Sequence, residues 1–191
     1  MNKTNNKIQI KEFMKKTIIF TLAIFALAAS GFTVSMLWNV VPEGVKVNFE
    51  LPDEGTKGML GGLKASIDFD SKDPVSSKIS ASVDLKTLNT GNAQKDHHLM
   101  SADFFDVEKY PVATFTSTSV KAVKEGFLAE GTLTIKDSTK NVEIPFGFTE
   151  DANGGTFSGT LSIFSSDYGI MKKSKSGKDK VVVTIIVPVK K

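Results

Sequence analysis

Ile79-Ser80-Ala81-Ser82-Val83-Asp84-Leu85 is the stretch on which the reading of this chain turns. Ile79, Ala81, Val83 and Leu85 fall on one face and Ser80, Ser82 and Asp84 on the other, the two-residue period of a strand with one face in a core. The same period recurs downstream in Leu133/Ile135, Val142/Ile144/Phe146/Phe148, Phe157/Leu161/Ile163 and Val181/Val183/Ile185/Val187. Turn-forming clusters separate the runs: Pro52-Asp53-Glu54-Gly55, Asp70-Ser71-Lys72-Asp73-Pro74, Asp151-Ala152-Asn153-Gly154-Gly155 and Lys175-Ser176-Gly177-Lys178-Asp179. Roughly eight strands joined by short turns predict an all-β antiparallel barrel or sandwich. A barrel is the more economical solution, because closure removes exposed strand edges.

One segment breaks the rhythm. Gln94 to Ser101 has neither alternation nor turn residues and reads as one short helix between two strands, with Asn92 placed to cap its N-terminus. Gly58-Met59-Leu60-Gly61-Gly62 lacks the Gly-Lys-Ser/Thr ending of a phosphate loop, so its glycines read as a bulge or a tight bend at a barrel corner.

The N-terminus follows a different logic. Lys3, Lys7, Lys11, Lys15 and Lys16 precede an apolar run from Ile18 to Ala29, and small residues follow at Ser30-Gly31. That order predicts a secretory signal peptide over residues 1–30 and a domain over residues 31–191. The expected location is periplasmic or extracellular. The alternative is an uncleaved N-terminal helix that anchors the chain, since no charge occurs between Lys16 and Glu43. The whole chain carries 24 basic and 21 acidic residues, but without the leader 19 basic and 20 acidic remain, net −1. A nucleic-acid partner therefore loses its electrostatic basis. Arginine is absent, which excludes bidentate guanidinium clamps, and cysteine is absent, so an exported domain must hold itself by its core.

Few residues here suggest chemistry. His97 and His98 are adjacent and are the only histidines, a spacing that points their rings apart rather than at one metal ion. Ser165, Ser166 and Asp167 form no nucleophile elbow. Asp151 to Gly155 is too short for a calcium loop. Lys172 to Lys180 reads as a solvated hairpin or as an electropositive lip on a barrel mouth. The unusual count is phenylalanine, fourteen against two tyrosines and one tryptophan. Most of these rings should be ordinary core, yet a barrel of about eight strands can also enclose a ligand cavity lined by them.

A longer motif specifies more. Lys95-Asp96-His97-His98-Leu99, Asp103-Phe104-Phe105-Asp106, Tyr110-Pro111 and Phe115-Thr116-Ser117 resemble the signature of the YceI-like family of polyisoprenoid- or lipid-binding domains. Trp38, the glycine-containing strand from Gly58 to Phe69, and Asp167-Tyr168-Gly169-Ile170 agree with it, over essentially residues 38–189. Three positions depart from the usual pattern. Lys95 and Ser165 stand where arginines are common, and Asp137 where glycine is, which bears on any head-group contact made by a guanidinium.

The resemblance implies a lipocalin-like antiparallel barrel with one helix, exported, whose cavity holds an isoprenoid or another amphiphilic lipid. On that reading the chain is a non-enzymatic carrier with no cofactor, a polyisoprenoid or quinone-type lipid being its cargo. Transient membrane contact and self-association into a dimer are compatible with that role. Asp96, His97 or His98 are expected at the cavity mouth with the lysine loop. Phe104, Phe105 and Phe115 are expected either to line the cavity or to pack the helix against the barrel, and Phe146, Phe148 and Tyr168 complete the expected ligand-binding set. Two other functions compete: a hydrolase or isomerase acting on an amphiphile with a histidine as general base, and a stress-response interaction module with a packed barrel.

Overall fold

The structure, a computed structural model, describes residues 36–172 and 178–191. The expected leader and Lys173–Gly177 of the lysine loop lie outside the described residues. The strands are β1 (Leu37–Val40), β2 (Lys46–Leu51), β3 (Thr56–Asp68), β4 (Lys78–Asn89), β5 (Val112–Val123), β6 (Gly126–Ile135), β7 (Ser138–Glu150), β8 (Gly155–Phe164) and β9 (Lys180–Lys190). They form one antiparallel sheet in which β2 through β9 pair around a ring, closed by β3 against β4 and by β2 against β9.

The ring has eight positions because β1 and β2 share one of them. Val47 to Leu51 of β2 pair with β3 near its start and Lys46 to Glu50 pair with the first half of β9. Leu37 and Trp38 of β1 take over at Asp68 and Ile67 of β3, and Asn39 and Val40 at Lys190 and Val189 of β9. Between them the chain makes a 3₁₀ turn at Pro42–Gly44. A proline there has no N–H to donate to the ladder, so the strand is interrupted where its sequence cannot pair.

The glycine-rich stretch is a bulge, as its composition suggests. Pairing of β3 with β4 shifts register between Met59 and Gly61 and again between Gly61 and Lys64. Gly62 sits at φ +65°, in the left-handed region that glycine enters without a steric cost. The extra residue returns Leu63 to the inward face after Leu60 and bends β3 at the barrel corner.

Among the described residues the one α-helix, α1 (Ala93–Met100), starts one residue before the sequence expectation. The Asn92 side chain accepts from Lys95 N at 3.1 Å, which satisfies one of the free N–H groups of the first turn. Asp96 in the first turn also suits the positive end of the helix dipole.

The two ends of the barrel differ. The β3–β4, β5–β6 and β7–β8 connections lie at one end, where β1 also enters; β2–β3, β6–β7, β8–β9 and α1 lie at the other. At the first end, Phe69 is fully buried and packs edge-on against Phe127, Phe146, Phe148 and Phe157 at centroid distances of 4.9, 5.6, 5.3 and 5.3 Å. Trp38 joins them 5.1 Å from Phe148 and donates its Nε1–H to Phe69 O at 2.9 Å. Edge-to-face pairs of this kind each add about 0.5–1.5 kcal/mol beyond the area they bury. This aromatic cluster is the barrel's floor.

Candidate functional site

Above the floor the inward face is not filled. The alternation places Leu63, Ala81, Val83, Ile144, Val183 and Ile185 on the inner wall, yet each remains only partly buried, whereas inward residues at the floor such as Val120 and Ala129 are 1% and 2% exposed. Apolar side chains that face inward and still contact solvent-sized space line a hollow. Two adjoining chambers account for it: one of about 160 Å³ at the mouth and one of about 120 Å³ below, counting only where a water's centre can sit.

The two chambers meet at the level of Leu63, Ala81, Phe115, Ile144 and Ile185, which line both. The Phe115 ring covers Gly131 of β6, where a Cβ would come within 2.8 Å of it. At the mouth the wall is completed by Leu51, Leu88, Leu99, Phe105 and Met171, drawn from four separate segments of the chain. Phe146 and Phe157 close the lower chamber.

The lining is hydrocarbon. Among the described residues, Ser82, Thr114 and Ser165 are the only ones around the mouth chamber with polar side chains, and none is charged. Ser82 and Thr114 are paired across β4 and β5 on the outward phase of the alternation. Ser165 donates its Oγ–H to Asp179 O at 3.1 Å, so its hydroxyl is already satisfied. A guest inside such a lumen gains by burying apolar surface and would lose any polar group's hydration without recompense.

The expected site residues separate into three groups. Phe105 and Phe115 line the mouth chamber, and Phe115 and Phe146 line the lower one. Asp96, His97, His98 and Phe104 belong to α1 and the segment after it, at the rim. Asp96 accepts from Thr90 N at 2.8 Å and Thr90 Oγ1 at 2.6 Å, which pins the helix to the end of β4. His97 and His98 are exposed, and the His98 ring stands edge-on to Phe104 at 4.4 Å. Lys136 Nζ donates to Phe104 O at 2.6 Å and to Gly169 O at 3.5 Å, tying the post-helix segment to the turn after β8. Phe148 is part of the floor, 4.4 Å from Phe157.

Tyr168 lies in the 3₁₀ turn Ser165–Tyr168, 1% exposed, packed with the core. Its hydroxyl has no hydrogen-bond partner among the described residues, and burial, with a smaller contribution from the Asp167 charge, pushes its pKa up to about 12.

Much of the lumen is built by aliphatic residues outside the expected ligand-binding set: Leu51, Leu63, Leu88, Leu99, Met171 and Ile185. Inward parity along β3 and β9 was the signal that could have found Leu63 and Ile185. Leu99 and Met171 have no periodic signal, since they sit in a helix and a turn.

Comparison with known proteins agrees with this geometry. The model of the YceI-like domain matches residues 38–189. A protein YceI of Salmonella arizonae is 35% identical over 155 residues, covering 76% of this chain and 81% of that protein. The crystal structure of the Campylobacter jejuni YceI protein is 27% identical with a TM-score of 0.62, over 71% of this chain and 85% of that one. Burkholderia cenocepacia BcnA shares the fold at 22% identity, TM-score 0.73, over 78% of this chain and 99% of its own. A domain from Saccharophagus degradans, described as a polyisoprenoid binding domain implicated in plant cell wall breakdown, shares it at 14% identity, TM-score 0.58, over 80% and 97% of the two chains.

Proposed function

Because this chain belongs to the YceI-like domain family and its barrel is hollow, we propose that it is an exported, non-enzymatic carrier that shelters the hydrocarbon chain of an isoprenoid or similar amphiphile. The observation that carries the reading is a lumen whose described lining residues are uncharged, above an aromatic floor. Each CH₂ moved from water into it contributes about 0.8 kcal/mol, so a few prenyl units supply a gross gain that survives the cost of ordering the guest. The Saccharophagus degradans domain of the same fold, described as binding polyisoprenoids, supports the ligand class.

The placement of the histidines favours binding over catalysis. Among the described residues lining the two chambers there is no histidine, carboxylate or lysine, so a guest's buried atoms meet no proton donor or acceptor with a titrating side chain. Export is supported by the basic-then-apolar leader in the sequence. Loading from a membrane by transient contact of the mouth follows from the same role, as the guest is insoluble in water.

The test is direct. The protein is purified, extracted with organic solvent and the extract analysed by mass spectrometry; the delipidated protein is then offered a prenyl alcohol. One prenyl lipid per chain in the extract, or stoichiometric uptake afterwards, is the expected result. Recovery of no lipid together with no uptake overturns the carrier reading.

A further inference from the structure

The wall of the barrel is not laced evenly. β6 pairs with β7 from Phe127/Phe146 to Ile135/Ser138, and β8 with β9 from Gly155/Val189 to Phe164/Lys180. Between these two ladders, β7 pairs with β8 only from Phe146/Gly159 to Glu150/Gly155, toward the floor. Continuing the same register would set Glu143 opposite Ser162 and Asn141 opposite Phe164, yet among the described residues no pair forms there. The mouth half of this seam is unlaced.

A proline explains where the lacing stops. β6 and β7 are joined by the two residues Lys136-Asp137, so Ile135 and Ser138 exchange both hydrogen bonds of the closing pair. Bonded and non-bonded pairs alternate from there. Leu128/Pro145 is then a non-bonded pair, and the Pro145 nitrogen turns toward β8. With no N–H to give, Pro145 ends the ladder one step above Phe146. Beyond it the backbone groups of Asn141 and Glu143 face the seam from one side, and those of Ser162 and Phe164 from the other. All four residues are exposed, so water serves these groups. On the inner side, Ile144, Leu161 and Ile163 belong to the lining of the mouth chamber.

The upper end of the seam is bridged rather than paired. The 3₁₀ turn Ser165–Tyr168 follows β8 directly and packs against both β7 and β8. Lys136, at the tip of the β6–β7 hairpin, reaches across with Nζ to Gly169 O at 3.5 Å and to Phe104 O at 2.6 Å. Its backbone holds φ +57°, a conformation that glycine adopts more readily than lysine.

We propose that the β7/β8 seam is a side gate, which parts between Pro145 and the mouth to pass a guest's hydrocarbon chain sideways into the lumen, with Lys136 as its latch. Parting a laced seam breaks its ladder bonds; parting this one above Phe146 and Gly159 breaks none between the two strands. The neighbouring ladders hold β7 to β6 and β8 to β9 through the same level, so each half of the gate moves as a hairpin. This rests on the carrier reading and adds the route of entry to it.

The chain has no cysteine, so an introduced pair can be linked without competition. Glu143→Cys with Ser162→Cys spans the seam, and Ser80→Cys with Thr116→Cys spans the laced β4–β5 seam as control. Each delipidated variant takes up diphenylhexatriene from phosphatidylcholine vesicles before and after linkage by a short bismaleimide, and rate and final extent are read by fluorescence. Linking 143 to 162 should slow uptake about tenfold or more without changing its extent, since parting of the wall then limits loading. Linking 80 to 116 should change the rate by less than about twofold, as ladder bonds already hold those strands together. Lys136→Gly keeps a residue suited to the turn and removes the latch, and should speed uptake about threefold to fivefold, the factor to which one hydrogen bond's net contribution converts.

An unchanged rate in the linked 143/162 variant, an equal slowing by the control link, or a fall in extent in place of rate overturns the gate and leaves the carrier reading standing. A wild-type rate in Lys136→Gly overturns the latch. Failure of the unlinked wild-type protein to take up either this probe or a prenyl alcohol overturns gate and carrier together.

Discussion

The floor and the mouth of this barrel are built from the same strands and the same alternation, yet one is solid and the other hollow. At the floor the inward positions carry Trp38, Phe69, Phe127, Phe146, Phe148 and Phe157, and their rings interlock. Where the chambers meet and at the mouth they carry residues such as Leu63, Ala81, Val83 and Val183, too short to meet across the ring of strands. Eight strands enclose an interior that side chains can just fill. Whether they do depends on residue volume at each level. Stability is therefore concentrated at one end and capacity at the other.

That contrast can be broken by mutation. Phe69→Ala removes the ring at the centre of the floor and should destabilise the fold by about 3–5 kcal/mol in urea denaturation. Val83→Ala, also inward-facing but against the hollow, should cost about 1 kcal/mol or less, because little packing is lost where no partner atoms face it. Similar losses at the two sites would mean the lumen is filled in solution and the contrast is false.

The rim depends on polar ties rather than packing. Asp96→Ala leaves Thr90 N and Oγ1 without their shared acceptor and should cost about 1–2 kcal/mol. Native-state hydrogen exchange should show the loss confined to α1 and the end of β4, with the floor strands unaffected.

Tyr168 offers a change of opposite sign. Tyr168→Phe deletes a buried hydroxyl with no partner among the described residues and should stabilise the protein by about 1 kcal/mol, read as a higher urea midpoint at neutral pH. The pH dependence follows from its raised pKa. The unfolded chain loses the phenolic proton near pH 10, while the folded chain keeps it until about pH 12. Between those values the unfolded state binds fewer protons, so stability falls as pH rises. The wild type should lose stability across that window relative to Tyr168→Phe, and parallel curves for the two proteins would refute it.

The smallest effect is expected outside the barrel. Lys86 and Glu108 pair at 3.0 Å with side chains 46% and 85% exposed. Lys86→Ala should change stability by about 0.5 kcal/mol or less, since water screens such a pair. A larger loss would show that the segment after α1 depends on this contact as well as on Lys136.

Much of this was legible in the chain. Alternation in Ile79–Leu85 and in Val181–Val187 carried the strand assignment and their inward faces. Asn92 marked the start of α1, and the glycines at 61 and 62 marked the bulge, because capping and positive φ are local demands met by few residue types. The site was less legible. Phe105 and Phe148 look alike in sequence, both inside aromatic-rich runs, but one reaches the mouth chamber and the other packs beneath the lower one. Asp96 reads as a polar candidate for ligand contact, and its carboxylate is occupied by Thr90.

By itself, then, the order of residues determined which side chains face inward, where the chain turns and where the helix after β4 begins, since these are set by neighbours a few positions apart. Only the closed tertiary structure decided that rings from β1, β6, β7 and β8 would meet Phe69 at one end while aliphatic residues failed to meet at the other. A hollow is a shortfall of volume summed over all eight positions of the ring, and no single strand carries it.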